Sequence, residues 1–251
     1  MNISVIVNDV ARPGFVAEHG LSLWIETPTE IILVDTGQGG ALIPNGERAG
    51  VDFSKIDKLI FSHGHYDHTG GFNSLLDAIC TDSQPELYFG PALVQPRYRQ
   101  ADGEPPREIG IPDACRNAIQ QYPAGLKHQI DRFTQISDEL FLTGPIPRLS
   151  GEDSGGRFSL DPEGLITDWI ADEIALLFTD GTLVVGCCHA GIINTVRYCQ
   201  QNCPAIKIKK IIGGLHLLHA SLARRNQTAD FLKSLNLEDL QLLHCTGDFY
   251  L

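Results

Sequence analysis

The 251-residue sequence predicts an α/β fold in which two β-sheets pack face to face with helices on the outside. Short apolar, β-branched runs separated by Gly, Pro, Asn and Asp recur in the N-terminal half and again in the C-terminal half. Segments with helical patterning follow the strands of each half. One sheet with its own helices in each half therefore gives a layered sandwich.

The first half starts with strands and continues with helices. The strands are predicted at residues 3–7, 21–25, 31–34 and 59–61. A Gly-rich stretch after the third strand leads into a weakly helical segment that ends near Ala49, and residues 72–79 are predicted as a helix. Residues 81–125 are expected to form an insertion that covers the functional site, because 81–110 is rich in Pro, Arg, Gln and Glu. Residues 113–121 within it are predicted as a helix.

The second half repeats this pattern. Strands are predicted at residues 133–136, 140–143, 174–178, 183–185, 208–212 and 240–243, and helices at 192–201 and 221–235. Residues 150–164 are predicted as a loop, because glycines and a proline interrupt them.

Composition restricts the class of protein. The net charge of −12 disfavours a nucleic-acid partner, because such a surface repels phosphate backbones. No apolar run approaches the roughly 20 residues of a membrane span, and the N-terminus has no basic region typical of a signal peptide. The seven cysteines are odd in number and include an adjacent pair, which favours reduced thiols. These observations predict a cytoplasmic protein that acts on a small molecule.

The segment after the strand at 59–61 contains a dense cluster of possible metal ligands. His63, His65, Asp67 and His68 lie within six positions. Imidazole nitrogen and carboxylate oxygen bind zinc at about 2.0–2.2 Å, and the two-residue spacing on a turn allows the first two rings to reach one ion. A chance cluster of surface histidines is the alternative, but three of nine histidines within six residues argue against it.

Further candidate ligands follow other predicted strands. His189, His216 and His244 each lie where a strand ends, and such ends present side chains to a common rim. For each of them, a hydrogen-bonded core histidine is the alternative. Asp35 closes the strand at 31–34 and can accept the distal N–H of a ligating imidazole, or it can simply begin a turn.

These residues together resemble the metallo-β-lactamase superfamily. Its HxHxDH signature matches the cluster at 63–68, and its strand-Asp motif matches residues 33–37. The resemblance implies a four-layer αββα sandwich formed by residues 1–251 as one domain, with the metal site at one edge of the two sheets. Motifs at residues 17–22, 143–148, 186–191, 213–217 and 244–247 are similar to the group often labelled 7,8-dihydropterin-6-methyl-4-(β-D-ribofuranosyl)aminobenzene-5′-phosphate synthases.

The resemblance also implies a ligand set for two divalent ions. Zinc is the expected metal, with iron and manganese as alternatives. The first ion is assigned to His63, His65 and His189, and the second to Asp67 and His68 with either His244 or His216. Much of the superfamily has a bridging Asp where this chain has Cys187, which either binds as a thiolate, leaves the second ion more weakly held, or is replaced by His189.

The predicted function is metal-dependent hydrolysis of a small phosphorylated or acidic substrate by a metal-bound hydroxide. Asp67 is a candidate for orienting the hydroxide, and His19 and Arg148 are candidates for substrate contact, since a guanidinium suits phosphate or carboxylate. A solvated surface arginine is the alternative reading of Arg148. A pterin-related synthase or transferase is the closest alternative function. A mononuclear iron sulfur dioxygenase shares the signature and is the other alternative.

Overall fold

The apolar runs of the first half form one β-sheet. The structure is a computed structural model, and it describes residues 1–79, 84–151 and 156–249. The strands of this sheet are β1 (Asn2–Val7), β2 (Ser22–Glu26), β3 (Ile31–Val34), β4 (Lys58–Phe61), β5 (Glu86–Phe89) and β8 (Lys127–Gln129). Their spatial order is β1-β2-β3-β4-β5-β8, and the pairs β3/β4, β4/β5 and β5/β8 are parallel. All residues of β4 are buried, as expected for a parallel strand covered on both faces.

The second half forms a sheet of the same kind. Its strands are β9 (Thr134–Gln135), β10 (Leu140–Leu142), β12 (Leu176–Phe178), β13 (Thr182–Val185), β14 (Lys210–Gly213) and β15 (Asp239–Leu242). The spatial order is β15-β14-β13-β12-β10-β9, with β13, β14 and β15 parallel. A small additional sheet has the order β11-β6-β7 and consists of β6 (Tyr98–Gln100), β7 (Arg107–Glu108) and β11 (Arg157–Ser159).

The helices cover the outer faces of the two larger sheets. They are α1 (Leu42–Ala49), α2 (Tyr66–Thr69), α3 (Phe72–Ala78), α4 (Asp113–Gln121), α5 (Ile192–Asn202) and α6 (Leu222–Ser234), with short 3₁₀ helices at Phe53–Lys55, Ala124–Leu126 and His244–Thr246. The Ser221 side chain caps α6 by accepting from the backbone N–H of Arg224. Within the described residues, no helix is long and apolar enough to cross a membrane.

Three apolar layers separate these elements. The central layer joins the sheets face to face through residues such as Ile32 and Ile60 on one side and Leu176 and Val184 on the other. An outer layer packs α1, α3 and α4 on the first sheet, and another packs α5 and α6 on the second. The order of layers is therefore αββα, and the fold class predicted from the sequence is confirmed.

The structure corrects the prediction at two places in the connecting segments. Residues 86–89 were expected in an insertion outside the core, but β5 lies within the first sheet and Leu87 is fully buried. The local composition hid this strand because only three of its four residues are apolar or aromatic. Residues 157–159 were expected in a loop, but they form β11, which pairs with β6. Cys80 and Thr81, where the insertion was expected to begin, lie outside the described residues.

Candidate metal centre

The predicted ligands lie beyond the carboxyl ends of parallel strands. Those at 63–68 follow β4, and His189, His216 and His244 follow β13, β14 and β15. Because parallel strands end at the same edge of a sheet, and the two sheets are stacked, all these loops meet at one edge of the sandwich. The topology therefore brings together residues that are more than a hundred positions apart in the chain.

His63, His65 and His189 form the first group of side chains. The His63 Nε2 and His65 Nδ1 atoms are 2.9 Å apart, and the His189 ring lies 4.9 and 5.0 Å from the two other rings. Two imidazole ligands on one tetrahedral zinc ion would have nitrogens about 3.3 Å apart, given zinc–nitrogen distances of about 2.0–2.1 Å. Both ring nitrogens of His189 are buried and have no hydrogen-bond partner among the described residues. A cation would satisfy this arrangement.

A hydrogen-bond chain fixes which nitrogen of each ring faces the centre. The Asp35 carboxylate accepts from His68 Nδ1 at 2.6 Å and from the Ser62 hydroxyl at 2.6 Å, and Ser62 Oγ in turn accepts from His63 Nδ1 at 3.0 Å. The Nε2 atoms of both rings are thereby left unprotonated and directed inward. Such outer hydrogen bonds to a carboxylate typically orient metal-ligating histidines and raise their basicity.

Cys187 lies between two groups of possible ligands. Its Sγ atom lies within 4.8 Å of ligand atoms of His63 and His189, and within the same distance of ligand atoms of His68 and His244. The His68 Nε2 atom is 3.1 Å from the sulfur. Cys187 thus has the position of a bridging ligand, which the sequence left open. Burial raises the pKa of its thiol well above the ordinary value, so a thiolate there requires nearby positive charge.

His216 lies on the other side of Cys187. It shares a third group of possible ligands with Cys187 and Cys245, its ring is 4.3 Å from that of His189, and its Nδ1 is buried without a hydrogen-bond partner among the described residues. His244, and not His216, therefore lies with His68. This geometry favours His244 for the second ion.

Asp67 faces His19 and His244. Its Oδ2 atom is 3.3 Å from His19 Nε2 and 3.2 Å from His244 Nε2. The Nδ1 atoms of both rings contact the carboxylate of Asp9, which the sequence analysis did not identify. Burial raises the pKa of Asp9, but its hydrogen bonds with the two imidazoles outweigh this and hold the pKa well below its usual value. The hydrogen bond to Asp9 also raises the pKa of His19.

Burial favours the neutral form of His63, His65 and His189, whereas for His244 the nearby Cys245, Asp67 and Asp9 outweigh burial and raise the pKa well above 6.5. Burial lowers the pKa values of His63, His65 and His189 well below 6.5, and the neighbouring imidazoles lower them further. Neutral imidazole is the form that binds metal ions. The donor set, with its buried and unpartnered nitrogens, fits divalent cations of the zinc type.

The backbone around the centre is strained at several non-glycine residues. Asp35, Cys188, His216 and His244 have φ values of 56°, 56°, 49° and 48°. This left-handed region costs a non-glycine residue on the order of 1–3 kcal/mol and is concentrated at functional sites. Gly213, at φ 133°, ends β14 where a Cβ atom would lie 1.9 Å from the Val185 carbonyl oxygen. This close approach positions the loop that carries His216.

A pocket of about 370 Å³ opens over these side chains. His65, Asp67, Cys187, His216 and His244 line it on the buried side. Its outer part is lined by the exposed residues Arg99, Arg107, Arg157 and His19 and by half-buried Tyr66. Buried Phe158 also lines the pocket and packs against the rings of His65, His189 and His216. The three arginines belong to β6, β7 and β11. The sequence analysis did not single them out, because their positive charge is concentrated only when these strands pair.

Comparison with known proteins agrees with this geometry. The family model described as the metallo-beta-lactamase superfamily matches residues 16–81. The solved structure of Tm1679, a metal-dependent hydrolase of the beta-lactamase superfamily, superimposes with a TM-score of 0.80 at 26% identity, covering 98% of this chain and 88% of that one. In sequence and in fold, the chain resembles the metallo-β-lactamase superfamily.

Two relatives from Methanocaldococcus jannaschii align over most of the chain. One is the uncharacterized protein MJ0448, 28% identical over 98% of this chain and 90% of its own length. The other is a 7,8-dihydropterin-6-methyl-4-(beta-D-ribofuranosyl)-aminobenzene-5'-phosphate synthase, 27% identical over 93% of this chain and 82% of its own length. The resemblance inferred from the motifs is thus confirmed.

Arg148 has a different environment from the one expected of a substrate contact. Its guanidinium donates to the backbone carbonyls of His189 and Trp169, and it does not line the pocket of this metallo-β-lactamase fold. Glu173 holds the other side of the same loop by accepting from the backbone N–H groups of His189 and Ala190. His189 is therefore fixed from both sides of its peptide.

Acidic residues that the sequence analysis missed support both ligand loops of the metallo-β-lactamase centre. Asp172 accepts from the backbone N–H of Gly64 at 2.7 Å and from the fully buried guanidinium of Arg97 at 2.6 Å. Adjacent Glu173 holds the loop of His189. The available signal was a pair of acids directly before the apolar run at residues 174–178.

Proposed function

We propose that the protein is a metal-dependent hydrolase of a small phosphorylated or acidic molecule, and that it holds two divalent ions, with zinc expected. The observation that carries this proposal is the convergence of imidazole nitrogens around Cys187 at the floor of a pocket, where several of them have no hydrogen-bond partner among the described residues. His63, His65 and His189 would hold the first ion. His68, Cys187 and His244 would hold the second, with Asp67 beside them.

Bound divalent ions would lower the pKa of a water molecule toward neutrality and stabilise negative charge that develops on the substrate. The side chains of the protein would position the attacking water and transfer protons to the leaving group. Asp67 lines the pocket, and its Oδ2 atom can accept a hydrogen bond from an attacking water. His19 is half exposed, and its raised pKa keeps it partly protonated near neutral pH, so that it can donate a proton to the leaving group.

A second candidate function is a pterin-related synthase or transferase. It is supported by the 27% identical relative named as such a synthase, which aligns over 93% of this chain. Aromatic side chains that line the pocket, Tyr66 and Phe158, would suit a planar ring. An iron-dependent oxygenase is the third possibility that the sequence analysis raised.

The test combines metal analysis with turnover. The purified protein is expected to contain zinc and to hydrolyse members of a panel of phosphate, carboxylate and lactone esters, with ¹⁸O from labelled water entering one product. The His189→Ala variant is expected to lose both metal and turnover, whereas His128→Ala, at a ring stacked on Tyr88 of β5, is expected to keep both. Oxygen consumption by an iron-containing protein, or a product without ¹⁸O, would contradict the hydrolase.

A further inference from the structure

Positively charged side chains on the small sheet face the pocket directly opposite one another. In the paired register, Arg99 of β6 lies opposite Arg107 of β7 and, on its other side, opposite Phe158 of β11. Directly opposed residues share one face of a sheet, and all three line the pocket. Like charges opposite one another destabilise a sheet unless something neutralises them. This register places two positive charges side by side at the pocket, where an anionic group would neutralise them.

The small sheet is fixed to the metal-ligand loop. His65 and Gly110 form a β-bridge, and the backbone N–H of Tyr66 donates to the Ile109 carbonyl at 3.0 Å. The Arg107 guanidinium donates to the Tyr66 hydroxyl at 3.1 Å. The Arg107 side chain thus has a defined position relative to His65, and Arg99 lies opposite Arg107 in the strand register.

The positive charge is local and lies at the mouth of the pocket. The chain carries a net charge of −12, so the protein as a whole does not attract anions. Arg157 also lines the pocket, and it is partly neutralised by an ion pair with exposed Asp102. The arginine residues are exposed, whereas the predicted metal ligands at the floor are buried. An anionic group held by Arg99 and Arg107 is therefore separated from the floor where the reaction would occur.

We propose that Arg99 and Arg107 bind the phosphate of a phosphomonoester substrate, and that this phosphate is a recognition group distinct from the bond that is cleaved. The inference rests on the proposed function for the reaction at the floor. Two guanidinium forks offer parallel N–H donors that match the several oxygens of a phosphate dianion. Phe158, opposite Arg99, supplies an apolar surface for the part of the substrate between the phosphate and the reacting bond.

The test is calorimetric titration with phenyl phosphate at low ionic strength. Wild-type protein is compared with the Arg99→Gln/Arg107→Gln double variant and with Arg48→Gln, which changes an exposed arginine on α1 outside the pocket. Charge-assisted hydrogen bonds predict a loss of about 10- to 100-fold in affinity for the double variant. Arg48→Gln is expected to bind like the wild type. Equal affinity of the double variant and wild type overturns the proposal, and so does equally tight binding of benzoate.

The same titration with metal-free protein separates two sources of phosphate binding. The ratio of wild-type to double-variant affinity is expected to be the same with and without metal, because the arginines act independently of the ions. A ratio that falls to one in metal-free protein places the phosphate on the ions and overturns the proposal. If arginine-dependent binding persists but no ester is hydrolysed, the hydrolase proposal fails and the phosphate site stands.

Discussion

Replacing Asp35 with Asn tests whether the outer carboxylate controls the metal centre. Asp35 is fully buried and accepts from His68 Nδ1 and from the backbone N–H and hydroxyl of Ser62. Asparagine has one acceptor oxygen where aspartate has two. The amide group of Asp35→Asn can face His68 only if the ring shifts its proton from Nδ1 to Nε2. The nitrogen directed at Cys187 is then no longer free to bind a metal ion.

The expected loss of metal affinity follows from the hydrogen-bond partner that Asp35→Asn removes. Removing an outer hydrogen-bond partner typically costs 10- to 100-fold in metal affinity, which is about 1.4–2.7 kcal/mol. The effect is expected mainly at the proposed second ion, which His68, Cys187 and His244 would hold. His63 keeps its contact because Ser62 Oγ can still accept from its Nδ1. We therefore expect one binding step to weaken by 10- to 100-fold and the other to change much less.

The assay is competition between the protein and a chromophoric zinc chelator. Asp52→Asn is the control, because Asp52 also accepts a backbone N–H but lies at a 3₁₀ helix outside the centre. Circular dichroism and the melting temperature of each variant report whether the fold is retained. Equal weakening of both binding steps would show that Asp35→Asn acts through general loss of structure. Unchanged affinity for both ions would refute the role of the carboxylate.

Three further outcomes are expected. Zinc at about 100 times its dissociation constant should raise the free energy of unfolding, measured in urea, by about 2.7 kcal/mol. A chelator, or the His189→Ala substitution, should remove this gain. An unchanged free energy of unfolding in the presence of zinc would contradict a binding site in the folded state. Glu173→Gln should weaken zinc binding by about 10- to 100-fold, because Glu173 holds the loop of His189. Arg148→Ala should weaken zinc binding more than Arg148→Lys does, and both Arg148 variants should keep the wild-type KM. A raised KM at full metal content would instead make Arg148 a substrate contact. Burial raises the pKa of Tyr122 from 10.0 to about 12, so the folded state keeps the hydroxyl proton to higher pH than the unfolded chain does, and the free energy of unfolding should fall as the pH rises from 10 to 12. In urea titrations, Tyr122→Phe should show a smaller fall over this pH range. An equal fall in the variant and the wild type would contradict this assignment.

Much of the site could be recognised in the sequence because its parts are local. Histidines spaced at 63, 65 and 68 lie on one short turn after β4, so their proximity does not depend on distant pairing. Asp35 was also identified from its place at the end of a strand, and its carboxylate lies 2.6 Å from His68 Nδ1. The strands and helices that flank the site were predicted to within a few residues, since apolar periodicity determines which segments can be buried.

Other parts depend on pairing between distant segments. Asp9, Asp172 and Glu173 act through contacts with residues far away in the chain, and short acidic segments give no local sign of those partners. β5 has too few apolar residues to identify it as a core strand, and only its parallel pairing with β4 places it in the sheet. Arg148 looked like an anion contact in sequence, but the fold directs it to backbone carbonyls.

The sequence by itself determined the layered α/β class, the superfamily and the cluster at residues 63–68, because hydrophobic period and short-range spacing are local properties. Only the tertiary structure decided that Cys187 lies between the two ligand groups, that His244 accompanies His68, and that arginines of the small sheet face the pocket. These relations depend on strand register, and register is set by pairing between segments that the sequence order keeps far apart.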